Sequence, residues 1–423
     1  MSTPGKAGTP QSLNDFQKVM RQWAALAPYN CGPLMRVSGA PDLDRWRTAF
    51  AQTIQPLGLA NSDKLPVEIS SIARDQTVAE QLNRAFKPGE IPVRAYVVPH
   101  DDNSHWFGVI CDHWIADSRS LRALMQRVYA SYAGAPSELP PLHFDQNQSS
   151  PSGGPVAQIS ALIAAARNYF RHYRAHRMPL RDPADFESDF LSLHFPPGSV
   201  ERVRAIAKKQ RATVNDIFIA TAAQLLGKFT ARQRALSRAR FLRPRRDRVA
   251  IATAVDLRPR VAGTDDNLFG LALGYFSIIT ERPEERSLEE LVAAVARETD
   301  AGKSNARALQ LDWSLRIAHW LWNRASHPRA RATLFQKGMP LAAGISNVNL
   351  TGSWADQSTS PKDEPRVLDY LRVSPVGPLL PIVFTLTTIG DRLSLCVTYR
   401  TTAFGRSDAE QIAAGFVERL SPS

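Results

Sequence analysis

The chain has 423 residues, 43% hydrophobic and 22% charged, enough for two to three domains at about 150 residues each. That composition excludes a disordered chain, a coiled coil and a disulfide-stapled mini-domain. Lysines and arginines number 52 against 40 acidic residues, a net charge of +12; a basic chain suggests nucleic acid, a phosphate-bearing ligand, an acidic protein or anionic lipid as partner.

Residues 1–12 read as a loose tail with no apolar signal core. Leu13 to Leu26 reads as a helix and Leu34–Val37 as a short strand. Leu43 to Ile54 places Leu43, Trp46, Phe50 and Ile54 three to four apart, which is a helical period. Ile91–Val98 and Trp106–Cys111 read as strands, the second apolar on both faces. Ser120 to Tyr132 is an amphipathic helix that Gly134 is placed to end. Ala135 to Pro155 is rich in Pro, Ser and Gly and reads as a linker, followed by a helix from about Val156 to Arg174.

In the second half, Leu191–Phe195 reads as a strand, Ser199–Gln210 and Val214–Phe229 as helices, and Val249–Asp256 as a strand. Leu288–Ala301 and Leu311–Trp322 read as helices. Strands follow at Ile345–Val348, Ile382–Ile389 and Arg392–Tyr399, then a closing helix at Ser407–Leu420. Gly390 and Asp391 make a two-residue hairpin turn. Helices and strands mix throughout, so the expected fold class is α/β, in two lobes at 13–178 and 179–423.

Cys31, Cys111 and Cys396 show no CxxC spacing, and His100, His105 and His143 no metal-ligand spacing, so no metal site is expected. Sparse cysteine and the lack of a signal or membrane-length apolar run fit a cytoplasmic protein without a membrane span.

The densest chemistry lies in residues 106–118, WFGVICDHWIADS. A buried strand ends in His113, Asp117 follows four residues on, and an amphipathic helix begins. A strand end anchors a reacting group well, and an imidazole takes a proton from an alcohol or amine near neutral pH. Asp117 would cap the helix or hold the turn through an ion pair. The residues alone leave two readings open: a general base, or a histidine satisfied in the core. Cys111, in an apolar strand, reads as an inert thiol facing away from Asp112.

In this setting DHWIADS resembles the HHxxxDG active-site motif of the chloramphenicol acetyltransferase-like superfamily. That superfamily includes condensation domains of nonribosomal peptide synthetases, polyketide-associated acyltransferases, wax-ester synthases and plant BAHD acyltransferases. The likeness runs along the chain. AVDLRPR at 254–260 is similar to the family's V-N/D-x-R-P strand end. Residues 267–275 stand where the family has its lGN segment, and ISNV at 345–348 where relatives have SNV. Asp112 replaces the first histidine of the motif, Ser118 its glycine, and Tyr275 the asparagine of GN. The DFGWG motif of the plant branch is absent.

The resemblance implies a two-lobed chloramphenicol acetyltransferase-like fold, with mixed sheets, flanking helices and an active-site channel between the lobes. It implies acyl transfer from a thioester to a hydroxyl or amine acceptor, with His113 as general base. Asp117 is implied to be structural and paired with Arg258; Ser346 and Asn347 are implied to contact the oxyanion or the acceptor. No metal or redox cofactor is implied. The thioester arrives on coenzyme A or on phosphopantetheine, so the partners are an acyl thioester, a small-molecule acceptor and an acyl or peptidyl carrier protein. The alternative is a catalytically silent relative that binds a carrier protein as a scaffold or recruitment module.

Arg232 to Arg248 holds eight arginines and one aspartate, over half of the net charge. Centred on Arg243, Arg245 and Arg246, it reads either as a docking patch for donor phosphates or an acidic carrier protein, or as a solvated loop. No nucleic-acid signature accompanies it, so no nucleic-acid partner is expected. Trp313, Trp320 and Trp322 read as core packing rather than as a pocket wall.

Overall fold

A computed structural model describes residues 13–59, 65–87, 89–100, 102–134, 140–144, 159, 163, 166–167, 169–236, 246–260, 267–304, 311–354 and 365–422. In chain order the strands are β1 Asn30–Ser38, β2 Val67–Ile69, β3 Val93–His100, β4 Ser104–Asp112, β5 His143–Phe144, β6 Ser188–His194, β7 Arg248–Asp256, β8 Leu268–Phe269, β9 Leu273–Glu281, β10 Ala343–Asn349, β11 Val367–Val373, β12 Ile382–Ile389 and β13 Arg392–Arg400. They form two main sheets, ordered β11-β1-β4-β3-β2 and β6-β13-β12-β10-β7-β9, and a short β5–β8 ladder. Both sheets are mixed: β2–β3, β10–β12 and β10–β7 pair in parallel. The fold is two-lobed α/β, with helices packed on each sheet.

The first lobe shows how local signals build this. Asp42 accepts from the Arg45 amide at 3.0 Å and starts the helix Leu43–Ile54, satisfying an otherwise orphaned donor. One face of that helix buries Trp46, Ala49, Phe50 and Ile54. Trp46 stacks between Phe107 on β4 and Tyr132, with ring centroids 3.9 and 3.6 Å away. Its indole N–H donates to His105 Nε2 at 2.9 Å, while His105 Nδ1–H donates to the Gly39 carbonyl at 2.8 Å. Losing this stack and its buried hydrogen bond is expensive. Trp46→Ala is expected to lower stability by about 3–5 kcal/mol, read as a lower urea midpoint.

The β12–β13 hairpin closes where expected: Ile389 faces Arg392, and Gly390 takes φ +62°, which suits glycine in a primed turn.

Several elements differ from the sequence expectation, which did not contain β2, β5, β8 or β9. The helix Arg74–Asn83 buries Thr77, Val78, Gln81 and Leu82, so half of its inward stripe is polar and its period is hidden. A helix at Pro328–Gly338 follows the one at Leu311–Arg324. Most consequential is β11, which carries Asp369 and Arg372 and lies in the segment expected for the second lobe, yet pairs with β1 as the edge strand of the first sheet. The division at 178/179 is corrected accordingly. The chain leaves the second lobe, adds one strand to the first, and returns as β12. The inward charges that obscured this strand are satisfied across lobes: Asp369 accepts from His194 Nε2 at 2.7 Å.

The 1–12 tail, most of the 135–155 linker and much of the 156–174 helix lie outside the described residues. Trp322 is buried, whereas Trp320 is 51% exposed beneath Arg324, because it falls on the outer face of the helix Leu311–Arg324. The Trp313 side chain is outside the described residues.

Candidate active site

β4 delivers His113 one residue past its end. The His113 amide donates to the Tyr29 carbonyl at 3.0 Å, and the Tyr29 ring lies 5.8 Å from the imidazole at 34°. His113 Nδ1 sits 3.0 Å from the Ala116 carbonyl. A carbonyl only accepts, so Nδ1 carries the proton. Nε2 has no hydrogen-bond partner among the described residues. The ring borders a cavity of ≈ 290 Å³ that Asp117, Ser118, Arg258, Ser346 and Asn347 also line.

Asp117 ends the tight turn and caps the helix Ser118–Ala133, accepting from the Arg119 and Ser120 amides at 3.1 and 3.0 Å. Arg258, beyond the end of β7, grips the same carboxylate with both arms: Nη1 to Oδ2 at 2.9 Å and Nη2 to Oδ1 at 3.1 Å. Ala272 N–H adds a further donor at 2.9 Å. Both side chains are buried, at 2% and 5% exposure. One aspartate thus starts a first-lobe helix and ties it to the second lobe, directly behind the histidine.

Arg372 on β11 makes a second tie that sequence reasoning missed. Nη1 donates to the hydroxyls of Ser118 (3.2 Å) and Ser346 (3.0 Å). Nη2 donates to the carbonyls of Ser346 and Leu386, and Nε to Thr387. No carboxylate pairs with it among the described residues, and burial lowers its pKa to about 10. Ser346 therefore has its hydroxyl oxygen occupied by a cationic donor, which leaves its O–H proton to point elsewhere. Asn347 Oδ1 is buried without a partner among the described residues.

Cys31 on β1 was also missed. Its sulfur lies 3.2 Å from His113 Nδ1 and 3.6 Å from the Cys111 sulfur. Only the β1–β4 register, which sets Cys31 opposite Cys111, brings the two together. Burial pushes the Cys31 thiol up, but the Cys111 S–H donor and the neighbouring imidazole outweigh it and draw the thiol below its ordinary range. For His113 the order is reversed: burial lowers its pKa, while Cys31, the Ala116 carbonyl and Asp117 outweigh that and hold it above the ordinary histidine value. Burial, helped by Cys31, lifts the neighbouring Asp112 carboxyl to about 6, with His113 pulling it part of the way back.

A base must be neutral to accept a proton, so activity that uses His113 should appear only as pH rises past this elevated value. The charged or titratable groups facing the ring include Cys31 on β1, Tyr29 stacked against the imidazole, Asp112 beside it, Asp117 on the helix cap, and Arg372 and Tyr370 across a small adjoining cavity. Cys31→Ala removes the nearest anionic partner. It is expected to move the ring's titration down by about 1–3 units, read by NMR of the imidazole or by the acid limb of a rate profile.

Arg246 stands apart from this site. Its Nη1 donates to the carbonyls of Tyr173 and Ala175 at 2.9 and 3.0 Å, so it is engaged with the protein backbone. Arg243 and Arg245 lie outside the described residues. Phe16 and Trp23 of the helix Asp15–Ala24 line the cavity, with Tyr29 and Tyr275. Their helical spacing signalled only burial.

Two mixed sheets joined behind a strand-end histidine make a two-lobed α/β fold similar to that of condensation domains. Residues 47–238 match the Condensation domain family. The fold is similar to the first condensation domain of the CDA synthetase (15% identity, TM-score 0.61, covering 98% of this chain and 96% of that one). It is also similar to polyketide synthase associated protein 5 from Mycobacterium tuberculosis (12% identity, TM-score 0.62, 95% of this chain and 96% of that one). A third similar structure is the X-domain solved in complex with OxyB from teicoplanin biosynthesis (15% identity, TM-score 0.56, 99% of this chain and 95% of that one). No curated protein sequence matches the chain significantly. Among the described residues no helix is long and apolar enough to cross a membrane.

Proposed function

We propose that the protein is a condensation-type acyltransferase. It moves an acyl group from a thioester, on coenzyme A or on a carrier protein's phosphopantetheine, to a hydroxyl or amine acceptor. The observation that carries this reading is the His113 ring, with Nδ1–H held by the Ala116 carbonyl and Nε2 unpartnered on a cavity wall. Nε2 takes the acceptor's proton as the acceptor attacks the thioester carbonyl, and returns it to the departing thiolate. The Ser346 hydroxyl, backed by Arg372, donates to the oxyanion. Asn347 Oδ1 accepts from an acceptor O–H or N–H, since a buried polar atom needs a partner. Three free thiols suit a cytoplasmic setting.

A second reading is favoured by the X-domain likeness, because that structure was solved holding another protein. In it the chain binds a carrier protein and performs no chemistry. The test is incubation of the purified protein with a panel of acyl-coenzyme A and acyl-carrier thioesters, with amines and alcohols supplied. Thiol release and product mass are followed. Turnover that His113→Ala abolishes supports the transferase. Turnover unchanged by His113→Ala overturns His113 as the base, and carrier binding without any turnover selects the scaffold.

A further inference from the structure

The thiol pair beneath the histidine has no place in that mechanism. Cys31 and Cys111 are directly opposed on the antiparallel strands β1 and β4. Opposed residues in such a pair keep Cα atoms about 4.5–5.5 Å apart, inside the about 4.4–6.8 Å that a disulfide spans. The sulfurs already stand 3.6 Å apart. The backbones are held close here by Gly32, where any Cβ would meet the Val109 carbonyl oxygen at 1.8 Å. Forming a bond of about 2.05 Å thus asks for side-chain movement rather than strand movement.

Access is unequal. Cys111 is fully buried, whereas Cys31 borders a cavity of ≈ 30 Å³ shared with His113, Ser118 and Ser374. Those three residues also line the larger cavity. The small one has room for a water-sized molecule, and hydrogen peroxide is only one oxygen larger. It is too small for a thioester carbonyl and its substituents, which argues against Cys31 as an acyl-carrying nucleophile.

We infer that Cys31 and Cys111 form a peroxide-oxidisable dithiol that closes to a reversible disulfide beneath His113. Cys31 thiolate attacks one peroxide oxygen; the O–O bond breaks and hydroxide leaves, giving Cys31 sulfenic acid. Cys111 sulfur then attacks the Cys31 sulfur and the S–O bond breaks. Hydroxide departs with the Cys111 proton as water. Two thiols lose two electrons and one peroxide becomes two waters. Nearby His113 favours the thiolate that starts the sequence. The product sulfur is neutral, so His113 loses an anionic neighbour when the bond forms.

The experiment treats the full chain with hydrogen peroxide, alkylates it under denaturing conditions and maps the cysteines by mass spectrometry. The expected result is a linked Cys31–Cys111 peptide lighter by two hydrogens, and free thiols falling from three to one, with Cys396 still alkylated. Dithiothreitol should restore all three. In Cys111→Ala, dimedone should instead label Cys31 as a trapped sulfenic acid. Three thiols surviving a dose that fully oxidises free cysteine, or over-oxidation of Cys31 without a link, overturns the inference. The readout is covalent mass, so it stands or falls independently of whether the protein turns over acyl thioesters. If it does, peroxide should lower the pH of the acid limb in the wild type and dithiothreitol should restore it.

Discussion

His113→Ala is expected to lower kcat/KM for acyl transfer by about 10²–10⁴-fold, the range for removing a positioned general base. The loss should fall mainly on kcat, since the proton moves in the transition state and not on binding. Folding should change little by comparison: the hydrogen bond from the His113 amide to the Tyr29 carbonyl is backbone and survives the substitution. The deleted ring gives up one carbonyl contact, one contact with the Cys31 sulfur and a tilted stack on Tyr29. Equal urea midpoints with unequal kcat separate a chemical role from a structural one. A variant that keeps wild-type kcat would assign the reaction elsewhere. Residual rate is expected, because Ser346, Asn347 and the cavity still position the reactants.

Some of this site was legible in the sequence because its signals are local. The strand period of residues 106–111, the histidine at its end and the helix period from Ser120 onward placed His113 and Asp117 within one turn of their final positions. Arg258 could be matched to Asp117 only through resemblance, since 141 residues separate them. Cys31 and Arg372 carried no such signal. Cys31 reaches His113 only through a β1–β4 register that periodicity does not encode. Arg372 sits in a strand whose two inward charges broke the apolar pattern, and those charges are there because β11 crosses between lobes. The features that join the lobes were therefore the least visible: a lobe's own helices bury apolar stripes, whereas its connections bury polar groups whose partners lie far away in sequence. The Arg232–Arg248 segment is described only in part, since the side chains of Arg234, Arg238, Arg240, Arg243 and Arg245 lie outside the described residues. Its charge was conspicuous, yet Arg232 bonds Gln411, and Arg246 and Arg248 bond carbonyls and a carboxylate within the fold.

Asp117→Ala is expected to destabilise the protein by about 3 kcal/mol, the low end for breaking a buried pair, because the Arg258 guanidinium keeps only its second carboxylate, Asp256, at 3.2 Å. The loss has two further parts. The helix Ser118–Ala133 loses its N-cap, a term of about 0.5–2 kcal/mol, and the Ala272 amide loses its acceptor. These do not simply add, since one carboxylate makes all the contacts. Arg258→Ala should cost a similar amount by stranding Asp117, yet the helix cap stays. The double variant Asp117→Ala/Arg258→Ala should therefore cost less than the sum of the two, because neither charge is left behind. Urea unfolding of the four proteins measures this directly. Single variants within about 0.5 kcal/mol of the parent would mean that the pair carries no weight in joining the lobes. The expected alternative has a functional consequence that distinguishes Asp117 from His113. Asp117 touches no cavity atom that reacts; it fixes the turn that aims the imidazole and anchors that turn to the second lobe. Asp117→Asn keeps a carbonyl oxygen for the Arg119 and Ser120 amides but loses charge and one acceptor toward Arg258. It should retain part of the stability, and the acid limb of its rate profile should move to lower pH, because His113 loses an anionic neighbour.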